Sequence, residues 1–64
     1  MRLTDFWSRM DAVFGPDYAR SWAHDCVIGP LDGRTVMQAL DHGEDALVVW
    51  RAVCQVVDVP SVLR

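Results

Sequence analysis

Residues 46–57, ALVVWRAVCQVV, are apolar on almost every side of a helix. Ala46, Leu47, Val49, Trp50, Val53, Cys54, Val56 and Val57 make a broad apolar face, and only Arg51, Gln55 and Asp58 form a narrow polar stripe. A helix with so little polar surface must be packed on several sides, so it belongs at the centre of the molecule. Its valines have modest helix propensity, so tertiary packing must hold it. A strand over residues 56–59 is the competing reading, but it would lack a partner strand.

The rest of the chain reads as wrapping for that helix. Leu3, Phe6, Trp7, Met10, Val13 and Phe14 step by three and four, the stripe of an amphipathic helix. Thr4 is placed to cap it, and Asp5 and Arg9 stand four apart in the favourable order for an ion pair. Gly15 ends this helix, and Pro16 suits the first turn of the next. A second stripe runs through Tyr18, Ala19, Trp22, Ala23, Cys26 and Val27 until Gly29-Pro30 breaks it, and Asp32-Gly33 reads as a turn. Thr35 with Gln38 three residues later is a capping-box pattern. It opens a short helix with Val36, Ala39 and Leu40 inward and Gly43 as its stop. Asp45 caps the last helix, and after Pro60 a short tail places Val62 and Leu63 to dock back.

The predicted fold is all-α: a compact orthogonal bundle of four helices in one domain, residues 1–64. Its last helix is central, its second half resembles a helix-turn-helix, and Phe6, Trp7, Phe14, Trp22 and Leu40 wrap the centre. A 64-residue chain buries a modest share of its surface and needs dense apolar packing, a staple or a partner. With 52% apolar residues and three Trp, it can pack densely without a staple, leaving few apolar groups to line an enzyme cleft.

Charge narrows the function classes. The net charge is −3, and the cations Arg2, Arg9, Arg20, Arg34, Arg51 and Arg64 are spread along the chain, which argues against non-specific phosphate binding. No apolar run approaches the roughly 20 residues of a membrane span, so no membrane association is expected. No signal peptide is visible at the start, and the expected location is cytoplasmic, with Cys26 and Cys54 as reduced thiols.

The stretch RSWAHDC, residues 20–26, strings together His24, Asp25 and Cys26. On a helix, neighbours point about 100° apart, so the three are not expected to converge. Cys26 falls on the apolar stripe, and His24 and Asp25 fall on the polar side. The spacing of His24, Cys26, His42 and Cys54 lacks the close ligand pairs of structural zinc sites. Cys26 and Cys54 read as small buried hydrophobes. His42 has no nucleophile beside it, and no glycine-rich phosphate loop is present. No catalytic residue, cofactor or metal is therefore expected.

Residues 35–57 carry the sharper alternative. Ala39, Gly43 and Val49 match the spacing of a helix-turn-helix crossing, turn and inward contact. The leading end of its second helix, however, carries Glu44 and Asp45, which repel phosphate, and only Arg51 and Gln55 remain to read bases. The tryptophans lie on the stripes and read as core. Met37, Val48, Val62 and Leu63, with Arg51 and Gln55, are the candidate partner-binding residues.

MRLTDFW at the start, FGPDYARSWAHD, GRTVMQAL and VWRAVCQVVDVP together resemble a small actinobacterial family of unknown function, over nearly the whole chain. The resemblance implies genes near the homologous-recombination recombinase and its regulator, and brings no catalytic or binding residues. One departure is Glu44-Asp45-Ala46, where the family pattern has an apolar residue followed by Asp-Pro; Asp45 still caps the helix. The functional expectation is a non-enzymatic cytoplasmic protein-interaction module, tied to DNA recombination or repair through an unidentified protein partner. A homodimer is one form of that partnership. A helix-turn-helix-like nucleic-acid binder is the alternative.

Overall fold

The computed structural model describes residues 1–64. In chain order it forms α1 (Leu3–Phe14), α2 (Ala19–Asp25), β1 (Val27–Ile28), β2 (Arg34–Thr35), α3 (Val36–Asp41) and α4 (Ala46–Val56). A 3-10 turn, Gly29–Leu31, joins the strands, and a second, Ser61–Leu63, lies in the tail.

Several boundaries follow from local chemistry. The Gly15 N–H closes α1 on the Asp11 carbonyl at 2.8 Å, with a φ of 90° that a side chain would resist. Thr35 caps α3 reciprocally. The Gln38 N–H donates to Thr35 Oγ1 at 3.1 Å, and the Thr35 N–H donates to Gln38 Oε1 at 3.0 Å. Asp45 caps α4, its Oδ1 accepting from the Leu47 N–H at 3.0 Å. The start of α1 departs from expectation. Arg2, not Thr4, holds the N-cap position without a side-chain bond, and the Phe6 N–H reaches the Arg2 carbonyl at 2.9 Å.

The four expected helices form, and the difference is local, at residues 26–35. The second helix stops at Asp25, and Cys26 is already extended. Val27 and Ile28 form a two-residue antiparallel ladder with Thr35 and Arg34 respectively. β-branched residues just ahead of Gly29-Pro30 favour this extended path, and Pro30 would have ended a helix in any case. The strand's alternation sends Ile28 into the core and leaves Val27 in solvent. Asp32 and Gly33, both at positive φ, make the reversal. The molecule is thus mostly helical, with four helices and one small hairpin.

α4 lies at the centre. α1, α3, β1 and the Gly29–Leu31 turn all pack on it, and Ala46, Val49, Trp50, Ala52 and Val53 are buried. α2 rests on α1, α3 and β2. Phe6 meets Trp7 and Trp50 edge to face, with centroids 5.2 and 6.2 Å away. Phe14 stacks on Trp22 at 4.4 Å and ties α1 to α2. Trp7, Phe14, Trp22 and Leu40 are half-buried against this core. Tyr18, placed on the second stripe by its spacing, is 55% exposed at the cap of α2.

Of the two tail residues expected to dock, Leu63 does and Val62 does not, and Val59 docks as well. Val59 is only 2% exposed, Leu63 is half-buried against the core, and Val62 is 89% exposed. No strand forms at residues 56–59.

Candidate binding groove

Leu47, Arg51, Cys54 and Gln55 follow one another at helical spacing along one flank of α4. Together with Trp50 they line an open groove of about 430 Å³, which Arg9 of α1 and Arg64 of the tail complete. Three arginines from three parts of the chain therefore share one groove, and no acidic side chain lines it.

These arginines are uncompensated. The only close pairs of basic and acidic side chains are Arg20 with Asp11 at 3.4 Å and His24 with Asp25 at 2.8 Å. Arg9 does not take up the Asp5 partner its spacing offers; its guanidinium carbon stands 5.9 Å from the centre of the Trp50 ring. Burial pushes the Cys54 thiol above its ordinary pKa, while the positive charges of Arg64 and Arg9 pull it partly back. The thiol sits within the field of both cations and remains protonated at neutral pH.

The six residues singled out from the sequence are not brought to one place. Arg51 and Gln55 line the groove. Val48, exposed on the same helix, edges a separate hollow of about 60 Å³ with Pro30, Leu31, Asp32, Arg34, Ala39 and Glu44. Met37 and Leu63 are half-buried against the core, and Val62 stands in solvent. Arg34, close to Asp32 and Glu44 in the Val48 hollow, forms no basic face with Arg51. The partners Arg51 does have in its groove, Arg9 and Arg64, were not singled out as site residues. No local spacing connects residues 9, 51 and 64, so only the tertiary fold reveals the cluster.

The RSWAHDC stretch separates only in part. His24 Nδ1 lies 2.8 Å from Asp25 Oδ1, although adjacent helical positions diverge. Both side chains are exposed at the last turn of α2, where they are free to bend toward each other in solvent. Cys26 is half-buried at the helix end, and it and Cys54 are both free thiols.

The architecture is that of a small, mostly helical globule, and none of its helices is long and apolar enough to cross a membrane. Residues 1–62 match the family model described as "Protein of unknown function (DUF3046)", and the chain belongs to that family. No curated protein and no solved structure matches it.

Proposed function

We propose that this DUF3046 protein is a cytoplasmic, non-enzymatic interaction module that engages a protein partner through the exposed flank of α4. The observation that carries this reading is the groove itself: unpaired arginines over an apolar floor, on a chain with net charge −3. Trp and Arg are the residue types that dominate binding energy at protein interfaces. The groove's one thiol is raised by burial rather than activated, which favours binding over nucleophilic chemistry. The genomic setting implied by the family resemblance directs the search for a partner to proteins of homologous recombination and repair.

A second reading, nucleic-acid binding, has one observation in its favour: Arg51 and Gln55 are exposed on α4, the helix that follows the tight α3–α4 turn. Glu44 and Asp45, also exposed at the leading end of α4, work against it by repelling phosphate.

The test is affinity capture from native lysate with the wild-type chain and an Arg51→Glu variant, with and without nuclease. A stoichiometric protein that survives nuclease and is lost with the variant supports the module. Recovery that vanishes with nuclease transfers the reading to nucleic acid.

A further inference from the structure

We infer that the groove binds a short acidic–apolar peptide segment. Its carboxylates would pair with Arg9, Arg51 and Arg64, and one bulky apolar side chain would rest on Leu47 and Trp50. This deepens the interaction-module reading and rests on it.

Charge complementarity carries the assignment. The chain has more acidic residues than arginines, yet the groove gathers three of its six arginines and excludes every acidic side chain. None of the three has an acidic side chain in ion-pair contact. Another hollow on the surface, edged by Leu3, Trp7 and Asp11, also holds an arginine, but there Arg20 is already paired with Asp11 and lies over the Trp7 ring. Unpaired guanidiniums are planar forks suited to carboxylates in two-point contact.

Size and surroundings select a peptide over a longer polyanion. At about 430 Å³ the groove falls in the size range of small-ligand pockets, which suits a short peptide segment rather than a long polymer. Exposed carboxylates border α4 at both ends, Glu44 and Asp45 before it and Asp58 after it. A nucleic-acid backbone running along α4 would meet those carboxylates, whereas a short acidic segment fits between them. The apolar floor of Leu47, Trp50 and Cys54 supplies an anchor site that a bare phosphate would not use. The tail is pinned by Val59 and Leu63, which keeps Arg64 at the rim.

The experiment is selection of short random peptides displayed on phage against the intact chain, followed by titration of the best peptide while the Trp50 indole N–H resonance is watched. The expected result is enrichment of peptides with acidic residues flanking Leu, Phe or Trp. They should shift the Trp50 resonance and lose about tenfold or more in affinity with Arg51→Glu or Arg64→Glu. Both substitutions are at exposed positions, and circular dichroism verifies that each variant is folded. Enriched peptides without acids, or acidic ones indifferent to both reversals, overturn the assignment. So does short duplex DNA that moves the same resonances more strongly at physiological salt. Self-association that is abolished by Arg51→Glu would assign the groove to a second copy instead. If the lysate partner is lost with Arg51→Glu but no acidic peptide is enriched, the module stands and only this assignment falls; a partner retained by both reversal variants removes the groove as its contact and overturns both.

Discussion

Arg9 stands 5.9 Å from the centre of the Trp50 ring, while Asp5, one turn earlier on the same helix, has no ion pair with it. An exposed pair within a helix gains only a few tenths of a kcal/mol. A cation over a largely buried indole gains about as much or more, and also joins two helices. Arg9→Ala should therefore cost about 0.5–1 kcal/mol in a denaturant melt. Asp5→Ala should stay within about 0.5 kcal/mol of wild type. Equal losses at both sites would return Arg9 to its local partner.

Trp50 is 2% exposed, and its indole N–H is buried without a hydrogen-bond partner. Trp50→Ala removes the largest buried side chain of α4 and should cost about 3–5 kcal/mol. Trp50→Phe keeps a ring against Phe6 and also removes the unpaired donor, whose burial costs about 1–3 kcal/mol. It should be clearly milder than alanine. A near-neutral Trp50→Ala in equilibrium denaturation would refute the central placement of α4.

The Thr35–Gln38 box joins β2 to α3. Thr35→Ala breaks one of its two bonds and should cost about 1 kcal/mol in thermal unfolding. If the loss is negligible, the cap contributes nothing beyond the solvent bonds that replace it.

Gly43 and Gly29 both have open space where a Cβ would stand, but only Gly43 is at positive φ, 87°. Backbone strain alone should make Gly43→Ala cost about 1–2 kcal/mol. Gly29→Ala should stay within about 0.5 kcal/mol of wild type. Thermal melts of the pair isolate conformation from packing. Equal effects would show that the turn after α3 tolerates a side chain.

Cys54 offers a test by pH. Its thiol is raised in the folded chain by burial, so folding disfavours the thiolate. The associated stabilisation is fully present below the thiol's unfolded pKa and is lost as pH rises through the higher folded value. In a Cys26→Ser background, a thiol reagent at mildly alkaline pH should label folded Cys54 more slowly than the unfolded chain. Arg64→Glu removes a cation that lowers the thiol and should slow labelling further. Faster labelling in that variant would place Arg64 outside the groove.

The sequence by itself determined whatever depends on residues within a turn or two of each other. Gly15 and Gly43 end helices because their positive φ is nearly free for glycine alone. Thr35 with Gln38, and Asp45 before Leu47, start helices through bonds spanning two or three residues. The central place of α4 was also legible, because a helix apolar nearly all round has no stable position at the surface. Tertiary structure decided the rest. Val27 and Ile28 became a strand because Arg34 and Thr35 came back to pair with them. Val59 docked where Val62 could not, and Arg9 chose an indole from a helix far along the chain over its neighbour Asp5. The groove belongs entirely to this second kind. Arg51 and Gln55 were visible as a polar stripe, but Arg9 and Arg64 reach them only when α1 and the tail close on α4. Long-range contacts of that kind leave no periodicity in the sequence.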